Sequence, residues 1–169
     1  MQKKHYLTGA VAVVAILASV TILYLMSPLC LHIKNGDTGK TVLAYPVKNG
    51  EEFSVTFIHS VNNTPVTDVY EIRDKGIYVV RTIYYSFGAG MQTVIEDDQT
   101  LEFGPDGSMI VSGFNRKMDN LSYIVGTVSD HILEIGGKTI SLREQCGKNK
   151  TVRFSCGRSF ILNCKTSSK

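Results

Sequence analysis

Two short segments hold most of the residues that could do chemistry. His59-Ser60-Val61-Asn62-Asn63-Thr64-Pro65-Val66 ends one alternating apolar run and opens the next, and Ser86-Phe87-Gly88-Ala89-Gly90-Met91 ends another. Loops at strand ends are where a rigid β body usually mounts a site. Gly88 and Gly90 allow positive φ and close backbone approach, which suits either an anion-holding nest of N–H groups or a bend carrying a strand across a sheet edge. His59 and Ser60 are adjacent, so along an extended strand they face opposite ways. Ser86 is the better partner for His59, with Asp68 or Glu71 to orient the imidazole; that would be the arrangement of an envelope hydrolase. No G-x-S-x-G elbow accompanies it.

The metal-ligating types are His59, His131, Asp68, Glu71 and the cluster Glu96-Asp97-Asp98, but no H-x-H or H-E-x-x-H occurs. The cluster lacks the alternation of a calcium loop, and no cofactor fingerprint is present. Among the cations, Arg73, Arg81 and Arg116, Arg81 stands out because Val79, Arg81 and Ile83 alternate together along an apolar run. A charge there is costly unless paired or at a pocket edge. It is expected to pair with Glu71 across a hairpin or to meet a carboxylate ligand. A small-ligand or metal-binding module would gather His59, Glu71, Arg81 and Ser86 around one pocket.

The segments that must position these residues read as short strands. Lys40–Tyr45 follows an Asn35-Gly36-Asp37 turn. In Glu52–His59, Phe53, Val55 and Phe57 share one face. Thr67–Arg73 alternates, and Ile77–Tyr85 is β-branched or aromatic almost throughout; Asp74-Lys75-Gly76 joins them as a hairpin. Thr100–Phe103, Met109–Val111, Ser122–Val125, His131–Ile135 and Thr139–Leu142 follow, with Gly136-Gly137 as a tight turn. No helical period occurs outside the N-terminal segment. The pattern predicts an all-β body, a small β-sandwich or barrel-like domain.

Of the 169 residues, 6–33 contain no Asp, Glu, Lys or Arg. Tyr6–Met26 is long enough to cross a bilayer, and Lys3 and Lys4 favour a cytoplasmic N-terminus. A cleaved signal ending near Ala18-Ser19 and a lipoprotein cut before Cys30 are the rivals; the apolar run overshoots the first, and Ser27-Pro28-Leu29 does not suit the second. The reading is a stub and anchor over residues 1–30, an extracytoplasmic domain over 31–145 of net charge −5, and a 146–169 extension of +6. The basic extension suits an anionic surface, and nothing in it suits nucleic acid. Cys30, Cys146, Cys156 and Cys164 lack zinc-site spacing, so one or two structural disulfides are expected in this compartment. One pairing, Cys146 with Cys164, would bracket a hairpin of Thr151–Ser155 and Ser159–Asn163 turning at Cys156-Gly157-Arg158.

The run Phe53–Ile72 (FSVTFIHSVNNTPVTDVYEI), followed by Tyr84–Met91 (YYSFGAGM), resembles the small bacterial family DUF1850. The likeness covers roughly Leu31–Arg143 and rests on an I-H-S-V-x-x-T-P-V segment, an acidic residue and aromatic on the next strand, and S-x-G-A-G. The matching positions are His59, Ser60, Val61, Thr64, Pro65, Val66, Tyr70, Glu71, Ser86, Gly88, Ala89 and Gly90. Gln92 departs from the family's proline, and the tail after Glu144 exceeds the family pattern. Members are often encoded beside TAXI-type TRAP transporters. The resemblance therefore implies a non-enzymatic accessory protein held in a bacterial cell membrane by one pass, with a TRAP permease and its solute receptor as partners.

Overall fold

The computed structural model describes residues 2–86, 95–96 and 98–159, with side chains from residue 9 onward. Gly88, Gly90 and Cys164 lie outside the described residues. One long helix, α1 (Gln2–Met26), leads in. Its Gly9–Met26 stretch has a mean hydropathy of 2.4 and none of it is buried, so it is long and apolar enough to cross a bilayer. The chain then makes β1 (Leu29–Asn35), β2 (Thr41–Pro46), β3 (Glu52–Ile58), β4 (Pro65–Arg73), β5 (Gly76–Tyr84), β6 (Thr100–Phe103), β7 (Met109–Lys117), β8 (Ser122–Ile124), β9 (His131–Ile135), β10 (Lys138–Ser141), a single turn of helix α2 (Leu142–Cys146), and β11 (Thr151–Arg158).

The strands form a four-stranded sheet, ordered β2-β1-β11-β8, and a seven-stranded sheet, ordered β10-β9-β3-β4-β5-β7-β6. The body is all-β, as the punctuation predicts, and neither sheet closes into a barrel. The inward faces follow the period of two. Phe53 and Val55 on β3, Tyr70 and Ile72 on β4 and Leu133 and Ile135 on β9 pack against Leu31 and Ile33 on β1 and Val152 and Phe154 on β11. Phe53 stacks on Phe154 at 5.9 Å between centroids, tying the two layers.

Four features depart from the sequence reading. First, β1 lies directly after the anchor, because Leu31 and Ile33 alternate inward in a stretch that its lack of charge disguised as membrane segment. Second, β7 runs on to Lys117. Third, Leu142, expected to end a strand, opens α2, because Ser141 at the end of β10 caps that helix by accepting the Glu144 N–H at 2.9 Å. Fourth, β11 passes straight through Cys156-Gly157-Arg158 and lies between β1 and β8, so the expected hairpin turn is absent and the basic stretch builds the body as far as Arg158. The strand wins because Val152 and Phe154 fill the core and the backbone pairs with β1 along its length.

The expected disulfides are corrected with it: no disulfide joins Cys30, Cys146 and Cys156. In the ladder Cys156 lies opposite Leu31 and Cys30 opposite Gly157, so the two thiols point to opposite faces of one sheet. Cys156 packs against the core, and burial pushes its thiol up to about 11.

One irregularity sets which residues face inward on the far half of the large sheet. Val69 opposes Arg81 while Tyr70 opposes Val79, so Val80 is an extra residue in β5. Val69 and Tyr70 are neighbours on a regular strand and face opposite ways; their partners Arg81 and Val79 must do the same. Across β5 from β7, Val79 meets Arg116 and Arg81 meets Ser112. The β7 side is bent at Gly113, with φ +92° and so little room that a Cβ would stand 2.2 Å from the Asp98 carbonyl oxygen. The expectation that Arg81 shares a face with Val79 is thereby overturned. Arg81 faces outward and Arg116 takes the inward position.

Gly113→Ala is expected to destabilise the body by about 1–3 kcal/mol, since it adds both positive-φ strain and a clash. Gly157→Ala, where the space for a Cβ is open, is the control and should be near neutral in thermal unfolding of the full chain.

Candidate functional site

The inward face of β3, β4, β5 and β7 does not close completely. It leaves a cavity of about 470 Å³ with walls from Phe57, Val66, Val79, Tyr84, Val111, Phe114 and Met118, and polar groups from His59, Asp68, Tyr70, Thr82 and Arg116. That volume is in the range of small-molecule sites, as is the pattern of apolar walls with few polar groups.

Asp68 lies on the apolar inner face because the period of two in β4 puts it with Val66, Tyr70 and Ile72. Its carboxylate is stabilised by hydroxyls from two other strands. Thr82 Oγ1 donates to Oδ1 at 2.9 Å from β5, and Tyr123 Oη donates to Oδ2 at 2.8 Å from β8 in the opposite sheet. With the Tyr123 proton committed to Asp68, Tyr70 Oη donates to Tyr123 Oη at 2.5 Å. Burial, reinforced by the Asp68 charge, holds both phenols well above their ordinary range, so they remain donors. Tyr123 also packs against Phe57 at 6.0 Å and His131 at 5.6 Å, while His131 stacks on Phe57 at 5.2 Å.

Arg116 lines the same cavity and is exposed on its other side. It makes no hydrogen bond or ion pair among the described residues, in contrast to Arg73 and Arg81. Arg73 holds Glu71 through both Nε and Nη2, at 2.8 and 2.7 Å. Arg81 pairs with Glu52, not Glu71, at 2.5 Å. Glu52 and Arg81 line a separate depression of about 490 Å³ on the outer face, with Glu134 and Lys138.

The two sequence segments do meet. Thr64 Oγ1 lies 3.2 Å from Ser86 Oγ. The 59–64 loop closes on itself through His59 N to Thr64 O and Asn63 N to His59 O, both 2.9 Å, with Asn63 at φ +53°. Pro65 then opens β4, and Ser60 is exposed. His59 Nδ1 accepts from the Val61 and Asn62 N–H groups at 3.4 Å each, which places the proton of the neutral ring on Nε2.

The expected quartet of His59, Glu71, Arg81 and Ser86 is therefore split. His59 lines the inner cavity, Ser86 joins its loop, and Glu71 and Arg81 face outward. Ser86 is hydrogen-bonded to Thr64 and not to an imidazole, so a His59–Ser86 pair is not assembled. Among the described residues no three His, Cys, Asp or Glu side chains gather as a metal site. Absent from the expected site were Thr82, Arg116 and Tyr123, and Asp68 figured only as a partner for histidine or a metal ligand. The signal for Asp68 was present: in VTDVYEIR it sits on the same face as Val66 and Tyr70. Tyr123 carried none, because its contact crosses between sheets.

The site also has a fixed place along the body. At the α1 junction, Arg158 Nη1 donates to Ser27 O, and Leu29 pairs with Arg158. The far end of β11, where it pairs with the last residues of β1 on one side, pairs with β8 on the other. Phe53 lies under Phe154 and Phe57 under Tyr123, so β3 runs from the junction outward and delivers the 59–64 loop at the far end.

Fold and site define a helix-led, two-sheet β domain with an open cavity on the inner face of its larger sheet. Residues 53–142 match the family described as a domain of unknown function, DUF1850, and the chain belongs to that family. The match spans the seven-stranded sheet, β8 and the first residue of α2; β1, β2 and β11 are supplied from outside it. Comparison with curated proteins and with solved structures found no match.

His131 is held below its ordinary value of 6.5, first by burial and also by Arg143, against the opposing charge of Asp130. Its Nδ1 accepts the Gly126 N–H at 3.3 Å, a bond that protonation there would break. Below pH 6.5 the unfolded chain takes up a proton that the folded ring resists, so stability falls with acidification from that point down to the folded midpoint. An NMR titration of His131 should give a midpoint below 6.5; a midpoint at or above it contradicts the burial argument.

Proposed function

We propose that this chain is a membrane-tethered, non-enzymatic accessory protein of a TAXI-type TRAP organic-anion uptake system, with the β domain outside the cytoplasm. The observation that carries the reading is the convergence of both motif segments, through Thr64 and Ser86, beyond the end of β3 that points away from the α1 junction. A seven-residue strand separates that end from the junction, about 20 Å. The partner it suits is therefore the soluble solute receptor more than the membrane-embedded permease. The loop end also presents apolar side chains to solvent: Val61 in the 59–64 loop, and Val128 in the connection before β9, which pairs with β3 at Phe57 and His131. Exposed apolar residues grouped on loops fit a contact surface better than a solvated edge.

A second reading, a small-ligand-binding module, is favoured by the open cavity and its guanidinium, unpaired among the described residues. The hydrolase reading receives no support from geometry, since Ser86 meets Thr64 and no base among the described residues.

Co-expression with a TAXI-type receptor and permease, followed by gentle solubilisation, tests the first reading. The receptor should co-purify with the full chain, and Val61→Asp should reduce its recovery severalfold, while Arg153→Gln on β11 leaves it unchanged. Purification of the chain alone, or equal recovery with Val61→Asp, would remove the basis for the proposal.

A further inference from the structure

The cavity on the inner face of the large sheet combines three properties that together define a ligand class. Its walls are mostly apolar, from Phe57, Val79, Val111, Phe114 and Met118. Its one cationic side chain, Arg116, has no partner among the described residues. Its one carboxylate, Asp68, already accepts from Thr82 on one oxygen and Tyr123 on the other. Asp68 and Arg116 line the same space without forming an ion pair, so the guanidinium is available to an incoming group. It is not placed there by chance alternation. The Val80 and Gly113 irregularities turn β7 so that Phe114, Arg116 and Met118 point inward, and the guanidinium stands at the rim of an apolar space.

We infer that this cavity binds a small organic acid, with its carboxylate on Arg116 and its apolar body between Phe57, Val79, Val111 and Phe114. A planar guanidinium presents paired N–H donors that match a carboxylate, and apolar walls limit competition from water. His59, whose Nε2 carries the proton, lines the same space and supplies a further donor to an anion. A phosphate or other compact dianion is the poorer match, since one guanidinium faces it and the apolar walls would go unused. This inference does not rest on the uptake-system reading. It concerns the chain alone, and either can fail without the other.

The test is calorimetric titration of the full chain in detergent, against matched detergent blanks, with 3-phenylpropionate as probe. Its amide, 3-phenylpropionamide, has nearly the same shape without the charge, and 3-phenylpropylamine reverses the charge. The carboxylate should bind about tenfold or more tightly than the amide. Arg116→Gln should erase that preference by weakening the acid alone, and the exposed Arg153→Gln should preserve it. Equal affinity for acid and amide, preference for the amine, unchanged acid binding in Arg116→Gln, or no binding up to about 10 mM would each overturn the inference.

Discussion

The contact on which the rest of the structure depends is the hydroxyl of Tyr123 on the carboxylate of Asp68. A carboxylate facing inward between two sheets is costly unless its lone pairs are occupied. Here the occupants come from both layers: Thr82 from β5 in the same sheet and Tyr123 from β8 in the other. β8 is a three-residue strand at the edge of the small sheet, paired only to β11. Little backbone pairing holds it, so its side chain contacts matter disproportionately. Tyr123 binds it to β4 through Asp68 and Tyr70, and to β3 and β9 through Phe57 and His131.

The second constraint is the paired irregularity at Val80 and Gly113. It exchanges the destinations of two arginines. Arg81 goes to the outer face, where Glu52 neutralises it, and Arg116 goes to the cavity, where no described group does. Sheet bulges often re-aim a side chain near a site, and in this body the same device both conceals one cation and exposes another. The family match covers both bulged strands as well as Asp68 and Tyr123, so the clasp and the re-aimed arginine belong to the family's portion of the chain.

The strands of this fold were legible because most show a clean period of two between turn residues. Glu52–Ile58 and the hairpin of β4 and β5 fall within one or two residues of their expected limits. What was not legible follows from long-range effects. β1 hid in a charge-free run continuous with the anchor, and β11 hid in a basic stretch whose strand character depends on Val152 and Phe154 finding a core more than a hundred residues upstream. Of the site, His59, Thr64 and Ser86 were legible from their types and loop placement, and Tyr70 only through the family resemblance. The roles of Arg81 and Arg116 were not, because one inserted residue reverses the facing of everything after it, and period counting assumes none. The disulfide expectation failed for a related reason: spacing along the chain does not say which face of a sheet a thiol takes.

The junction of the two sheets requires Asp68 and Tyr123 to act as one clasp across them. A double-mutant cycle on the full chain, with Asp68→Asn, Tyr123→Phe and the pair compared by denaturant unfolding of the body, measures this directly. The account predicts a coupling of about 1–3 kcal/mol, the double variant losing little more than the worse single one. Losses that simply add, to within about 0.5 kcal/mol, would contradict it.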